Sequence, residues 1–128
     1  MAGELILAVD DSATILAMLR AILVQGGYEV VTAGDGAEAL DVARSSVPDL
    51  ILLDVMLPKL DGYKVCRLLK FDKKYKHIPI VMLSARAEDA AMATGIRTGA
   101  DRYLTKPVGP DELLDTVGGV IARSRQET

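Results

Sequence analysis

The sequence predicts an α/β protein with a doubly wound (βα)5 fold, in which a parallel sheet lies between two layers of helices. Short uninterrupted apolar runs, such as 5–9 and 50–53, recur along the chain, as expected of strands buried on both faces. Between these runs, apolar residues recur at the spacing of amphipathic helices. Parallel strands need crossover connections, and crossovers are right-handed, so the helices are expected to cover both faces of the sheet.

Strand-like segments occur at regular intervals along the whole chain. Each is short and rich in aliphatic residues, and polar or turn-forming residues follow it. The predicted strands are Leu5 to Val9, Tyr28 to Ala33, Leu50 to Leu53, Ile78 to Leu83, and a short fifth segment at Tyr103 and Leu104.

Helical periods fill the intervals between these strands. The first carries an apolar stripe from Ile15 to Leu23 and ends at Gly26-Gly27, and the second begins after Asp35 and ends before Pro48. The remaining predicted helices are the third, around 65–69; the fourth, at 87–97 with Gly95 inside it; and the fifth, which begins at Pro110.

The favoured strand order is the flavodoxin-like 2-1-3-4-5, which gives a three-layer sandwich. Folds of this kind place their sites beyond the carboxyl ends of the strands, near the point between strands 1 and 3 where the winding direction changes. The 128 residues suit a single domain over 1–128, with a disordered tail expected at 124–128.

Composition narrows the range of functions. The net charge of −3 provides no basic surplus for phosphate neutralisation, so no direct nucleic-acid partner is expected. No apolar run approaches the length of a membrane span, and the N-terminal run lacks the basic flank of a signal peptide, so no membrane association is expected. Cys66 is the only cysteine, which excludes an intramolecular disulfide and is consistent with a cytoplasmic protein.

Polar side chains follow four of the five predicted strands. Asp10 and Asp11 follow strand 1, Asp54 follows strand 3, Ser84 follows strand 4, and Lys106 comes shortly after strand 5. Because these strand ends meet at one edge, three carboxylates are expected to crowd together and repel one another. A single ammonium group cannot balance them, whereas Mg²⁺ prefers carboxylate, water and phosphate oxygens. The sequence therefore predicts a magnesium site with an open position.

Each of these residues also has a structural alternative when it is taken alone. Asp10 or Asp11 could cap the first helix, Ser84 could cap the fourth, Asp54 could begin a loop, and Lys106 could be a solvated surface lysine. Their joint position at strand ends favours a functional site, although one of the two adjacent aspartates remains a candidate cap.

Four stretches carry a family resemblance: LAVDDS at 7–12, LLDVMLPKLDG at 52–62, VMLSA at 81–85 and TGADRYLTKP at 98–107. Together, in this order, they resemble the receiver domain of two-component response regulators, of the chemotaxis-regulator type. The resemblance covers nearly the whole chain. It implies a phosphorylation-dependent signalling switch rather than an ordinary enzyme, since such a domain catalyses only its own phosphoryl transfer and dephosphorylation.

The resemblance implies a role for each residue of the acidic pocket. Asp54 would be the phosphoacceptor and, with Asp11 and the backbone carbonyl of Met56, would ligate Mg²⁺ directly. Asp10 would act through a metal-bound water, and Lys106 would pair with a phosphoryl oxygen. The peptide bond between Lys106 and Pro107 is expected to be cis.

The resemblance also implies how the signal is received and transmitted. The donor would be a histidine kinase or a phosphotransfer protein. Ser84 would bind a phosphoryl oxygen, and Tyr103 would be the switch aromatic that moves with it. The output face would consist of the fourth helix, strand 5 and the fifth helix, where a downstream protein or effector domain binds. Met56 and Arg86 flank the expected path of the attacking water and match no dominant family type, so no phosphoryl lifetime is predicted.

Three alternatives remain for comparison. A haloacid-dehalogenase-type phosphatase would need a second carboxylate two residues after its nucleophile, where this chain has Met56. A flavodoxin-like cofactor binder would need a phosphate loop rich in Ser, Thr and Gly after strand 1, where this chain has Asp10-Asp11-Ser12. A degenerate receiver that only binds partners would not need the full set of phosphorylation residues.

Overall fold

A computed structural model describes residues 3–85 and 99–126. The described part contains a five-stranded parallel sheet in the order β2-β1-β3-β4-β5, which confirms the predicted fold class. The strands are β1 (Leu5–Val9), β2 (Glu29–Ala33), β3 (Leu50–Asp54), β4 (Ile80–Ser84) and β5 (Arg102–Thr105). The helices are α1 (Ala13–Gln25), α2 (Gly36–Ser46), α3 (Gly62–Lys70) and α4 (Pro110–Gln126).

Successive residues of the inner strands point into two separate cores. In β1, Leu7 and Val9 pack in the core beneath α2 and α3, whereas Ile6 and Ala8 pack in the core beneath α1 and α4. All four side chains have no solvent exposure. This alternation is the geometry of a strand covered on both faces, and it explains why the strand sequences read as continuous apolar runs.

Two strands begin later than the sequence predicts. The backbone N–H of Tyr28 donates to the carbonyl of Leu23, so Tyr28 closes the end of α1 and β2 begins at Glu29. Pro79 has no N–H to donate to a sheet ladder, and β4 begins directly after it at Ile80. The predicted fourth helix, at 87–97, lies outside the described residues.

The chain end also differs from the prediction. Residues 124–126, which the sequence suggests are a disordered tail, are the last residues of α4. Arg125 forms an ion pair with Glu4 at 2.9 Å, which holds this last turn against the start of the chain.

Gly62, at the start of α3, packs directly against the end of β3. A Cβ atom there would overlap the carbonyl of Asp54, and the N–H of Gly62 donates to the carbonyl of Val55. We expect Gly62→Ala to lower the free energy of unfolding by about 2 kcal/mol, because backbone atoms must move to admit the methyl group.

Gly119, within α4, is the matched control because nothing lies within 4 Å of a Cβ built on it. Gly119→Ala is expected to raise the free energy of unfolding by about 0.5–1 kcal/mol, since alanine is the better helix former. Urea denaturation of both variants measures this contrast. Equal stability of the two variants would contradict the close packing at Gly62.

Candidate functional site

The predicted site residues converge at the carboxyl edge of the sheet. Asp10 directly follows β1, Asp54 is the last residue of β3, and Ser84 is the last residue of β4. In the sheet register Ser84 pairs with Thr105, the residue before Lys106, and the backbone N–H of Lys106 donates to the carbonyl of Ser84 at 2.6 Å. Strand pairing alone therefore brings the polar residues of four strands together.

Asp10, Asp11 and Asp54 form one carboxylate cluster. Each offers an oxygen atom, and these oxygens all lie within 4.8 Å of one another. Asp10 is 1% exposed and Asp54 is 5% exposed, whereas Asp11 is exposed to solvent. The cluster thus combines two buried acids with one that opens towards solvent.

Lys106 supplies a cation at this site. Its Nζ lies 2.7 Å from Asp10 Oδ2 and 3.3 Å from Asp54 Oδ2, so one ammonium group is shared by the two buried carboxylates. The peptide bond between Lys106 and Pro107 is cis, as the resemblance implies. Asp11 forms no ion pair within the described part of the chain.

Backbone donors fix the orientation of both buried carboxylates. Asp10 Oδ1 accepts from the N–H of Ser12 at 3.0 Å, and Asp54 Oδ1 accepts from the N–H of Met56 at 3.3 Å. The cap of α1 is Ser12, whose hydroxyl accepts from the N–H of Ile15. Neither aspartate of the adjacent pair is therefore that cap, and both carboxylates remain in the cluster.

Burial and charge perturb the titration of this cluster. Burial raises the pKa of Asp54 above its usual value, and the charge of Asp10 raises it further, although Lys106 opposes both effects. For Lys106, burial alone would lower the pKa. The hydrogen bond to Asp10 and the charges of Asp54 and Asp10 outweigh burial and raise it. The lysine is therefore held as a cation, and the charged form of Asp54 is less favourable than that of an exposed aspartate.

The raised pKa of Asp54 predicts how stability depends on pH. The folded protein retains the Asp54 proton to higher pH than the unfolded chain does, so stability is lost as pH rises from the usual aspartate range through the raised pKa. In the absence of divalent metal ions, Asp54→Asn is expected to raise the free energy of unfolding at pH 7 by about 1 kcal/mol.

Urea denaturation in a chelating buffer at pH 4 and pH 7 tests this expectation. The gain should be larger at pH 7 than at pH 4, because ionisation of a carboxylate with a raised pKa costs more stability as pH rises. Asp41→Asn, at an exposed position of α2, is the matched control and should change stability little at either pH. An Asp54→Asn variant less stable than the wild type at pH 7 would contradict the inference that the charge of Asp54 destabilises the folded state.

The donor set fits a hard divalent cation. Among the described residues, three carboxylates share one ammonium group and so leave a negative excess, and two of the acids are buried where water cannot screen them. Oxygen ligands of this kind, with one carboxylate open to solvent, are typical of a Mg²⁺ site. The backbone N–H of Met56 donates a hydrogen bond to Asp54, while Met56 itself is 67% exposed.

The remaining predicted residues lie around this cluster. Ser84 is buried beside it at the end of β4, and Tyr103 is half-buried in β5, where it packs against the core beneath α2 and α3. Cys66 is fully buried in that core, as expected of a small apolar side chain, and His77 is exposed. Arg86 lies outside the described residues.

An apolar recess beside Lys106 is a feature that sequence reasoning missed. It has a volume of about 280 Å³ and lies between α1 and the segment that follows β5. Its lining includes Ile15, Met18, Leu83, Pro107 and Val108. Met18, a large apolar residue of the amphipathic helix α1, is 42% exposed. Its presence in this helix is the one signal in the sequence that could have indicated the recess.

Two of the three alternative functions fit this geometry poorly. A phosphatase of the haloacid-dehalogenase type would need an acid at position 56, where an exposed methionine side chain stands. A flavin site would place a phosphate beside Asp10 and Asp11, whose charges would repel it.

Among residues 3–85 and 99–126, no helix combines the length and apolar character needed to cross a bilayer.

Comparison with known proteins identifies the class of domain. The family model for the response regulator receiver domain matches residues 6–118. The alkaline phosphatase synthesis transcriptional regulatory protein PhoP of Bacillus subtilis is 47% identical over 119 residues, which cover 93% of this chain and 49% of that protein. The chain spans about half the length of the curated relatives that it matches.

Solved structures show the same likeness. Chemotaxis protein CheY4 of Vibrio cholerae aligns with a TM-score of 0.85 at 38% identity, covering 93% of this chain and 99% of that one. The receiver domain of the sensor histidine kinase PA1611 of Pseudomonas aeruginosa aligns with a TM-score of 0.87 at 32% identity, covering 94% and 99%. That structure contains a magnesium ion coordinated in its active-site cleft.

Proposed function

Because this chain belongs to the response regulator receiver domain family, we propose that it is a signalling switch in which Asp54 accepts a phosphoryl group. Members of this family are signalling modules rather than conventional enzymes, and their pairing with histidine kinases implies such a kinase as partner. The observation that carries the proposal is the position of Asp54, buried at the end of β3 between two other carboxylates and the ammonium of Lys106.

Phosphoryl transfer to Asp54 needs positioning and charge neutralisation. A carboxylate oxygen of Asp54 forms the new bond to phosphorus as the phosphorus–nitrogen bond of the donor phosphohistidine breaks. The released imidazole nitrogen takes up a proton. Lys106, which is hydrogen-bonded to Asp10 and lies close to Asp54, offsets negative charge on the transferring group. Ser84 would donate its hydroxyl to a phosphoryl oxygen.

The metal in this proposal is Mg²⁺, which would neutralise charge on the transferring phosphoryl oxygens when bound. Asp11, Asp54 and the backbone carbonyl of Met56 would ligate it directly, and Asp10 would contribute through a bound water. Asp10 and Asp54 are held in place by the backbone N–H groups of Ser12 and Met56, so these ligands are oriented before the metal arrives.

The signal would be transmitted by a shift between two conformations, since phosphorylation can bias only a state that contacts the phosphoryl group differently. Ser84 would move towards the phosphoryl group and Tyr103, now half-buried, would follow it inward. The proposed output face consists of β5, α4 and the predicted fourth helix, and it would bind a downstream protein or an effector domain.

The source of the phosphoryl group is a histidine kinase or a phosphotransfer protein in this proposal. The apolar recess beside Lys106 would receive apolar side chains of that donor, because it adjoins the acceptor site between α1 and the segment after β5. We further propose that residues 1–128 act as a single receiver unit. A cytoplasmic location is also proposed, because the donor phosphohistidine is made from ATP.

Phosphorylation by a small acyl phosphate tests the proposal without the natural donor. The protein is incubated with acetyl phosphate and Mg²⁺, and its intact mass is measured at early times, beside a sample with excess chelator. We expect a gain of one phosphoryl group that requires Mg²⁺. The absence of both this gain and measurable Mg²⁺ binding would contradict the proposal and favour a domain that only binds partners.

A further inference from the structure

A second pocket opens at the opposite edge of the sheet from Asp54. It has a volume of about 410 Å³ and lies between the connection from α3 to β4 and the last turns of α4. Because β4 spans the sheet between the two edges, about 15 Å separates this pocket from the phosphorylation site. Its volume falls within the range that is usual for small-molecule sites.

The pocket adjoins the most basic segment of the chain. Residues 64–77 include six lysines and arginines and one aspartate, although the protein as a whole has a net charge of −3. Lys70, Lys76 and His77 of this segment line the pocket, and Arg123 lines it from α4. Two elements that are distant in sequence thus bring positive charge to one place.

One wall of the pocket is formed by the ion pair of Lys70 with Asp101, which is electrically neutral and held in place by hydrogen bonds. Lys70 Nζ donates to Asp101 Oδ2 at 3.1 Å, to the carbonyl of Ile78 at 2.8 Å and to that of Lys76 at 3.4 Å. Asp101 Oδ2 also accepts from the N–H of Ile80 at 2.8 Å. All three ammonium protons of Lys70 are engaged, so this pair shapes the wall and contributes no net charge.

The other two cations of the pocket are not neutralised. Within the described ranges, neither Lys76 nor Arg123 forms an ion pair with a carboxylate. Among the described lining residues, Asp101 is the only acid, and it is committed to Lys70. The described lining therefore presents two uncompensated positive charges around a preformed wall.

We propose that this pocket binds the dianionic phosphate group of a small molecule. Two unpaired cations match the charge of a phosphate, and the arginine and lysine together supply the donors that phosphate oxygens accept. Ser124, which also lines the pocket, adds a hydroxyl donor. The carbonyl end of α4 opposes anion binding, so the expected dissociation constant is on the order of 1 mM.

Amide chemical shifts in metal-free buffer test this assignment. Adenosine monophosphate and inorganic phosphate are the charged probes, adenosine is the uncharged control, and ionic strength is held constant. Without a metal, the carboxylates around Asp54 repel both anions, which leaves the second pocket as the expected site. We expect saturable shifts at the amides of Lys76, His77, Arg123 and Ser124 with the nucleotide and none with adenosine.

The two charged probes distinguish the source of the phosphate group. Equal affinity identifies free phosphate as a sufficient ligand, whereas tighter nucleotide binding identifies a phosphate monoester, and either result supports the proposal. No saturable shift with either probe up to about 20 mM would overturn it.

Charge-removing variants test whether the pocket itself binds. Lys76→Gln and Arg123→Gln are each expected to weaken binding about fivefold. Lys73→Gln removes the same charge from an exposed position in the same basic segment, outside the pocket lining, and is expected to leave the affinity unchanged. An equal loss of affinity in all three variants would indicate diffuse attraction to the basic segment and would overturn the pocket assignment.

Discussion

Asp54→Asn is expected to abolish phosphoryl acceptance completely. The amide nitrogen and oxygen of asparagine are poor nucleophiles, whereas the carboxylate of Asp54 lies buried beside Lys106, where charge on the transferring group can be offset. Incubation of the variant with acetyl phosphate and Mg²⁺, followed by intact mass measurement, should show no added phosphoryl group at any time.

The same variant provides its own folding control, since it is expected to be more stable than the wild type without metal. Asp41→Asn makes the same chemical change at an exposed position of α2 and should take up phosphoryl groups like the wild type. A phosphoryl gain in Asp54→Asn equal to that of Asp41→Asn would show that the acceptor lies elsewhere.

Lys106→Gln is expected to separate metal binding from phosphoryl transfer. Loss of the ammonium that lies near both Asp10 and Asp54 removes a preorganised positive charge from the transfer site, and transfer should slow by about a hundredfold. The same loss leaves the carboxylates less neutralised, so the affinity for Mg²⁺ should be unchanged or higher. Single-turnover phosphorylation kinetics and calorimetric titration with Mg²⁺ measure the two effects.

Lys64→Gln, at an exposed position of α3, is the matched control for the change in net charge. It should leave both the transfer rate and the Mg²⁺ affinity as in the wild type. If Lys106→Gln instead weakened Mg²⁺ binding as strongly as it slowed transfer, the lysine would act by organising the metal site rather than by offsetting charge on the phosphoryl group.

The sequence was sufficient to predict the sheet and the acidic cluster because local patterns determine both. Apolar runs predict buried parallel strands, strand order follows from crossover rules, and the carboxyl ends of strands then define one edge. The fold brings the predicted polar residues together because each of them ends or follows a strand: Asp10, Asp11, Asp54, Ser84 and Lys106.

Other features depend on contacts that no local pattern encodes. Apolar periodicity and strand position do not distinguish Asp10 from Asp11, but the end of β1 turns Asp10 into the protein towards Lys106 and leaves Asp11 exposed. The assignment of the cap to Ser12 rests on side-chain geometry at the same turn. The second pocket joins Lys76 with Arg123, which lie far apart in sequence and meet only through packing of α4.

The last turn of α4 is another feature that local sequence patterns do not predict. Polar residues at 124–126 suggest a tail, yet the ion pair of Arg125 with Glu4 joins the last turn of α4 to the residue before β1. A contact between the two ends of a chain cannot be inferred from the composition of either end.

Direct identification of the phosphorylated residue tests whether Asp54 is the phosphoacceptor. The protein is phosphorylated with acetyl phosphate and Mg²⁺, reduced with borohydride, which converts an aspartyl phosphate to homoserine, digested and mapped by mass spectrometry. We expect homoserine at position 54 and at no other aspartate. Homoserine at Asp10 or Asp11 with none at Asp54 would contradict it.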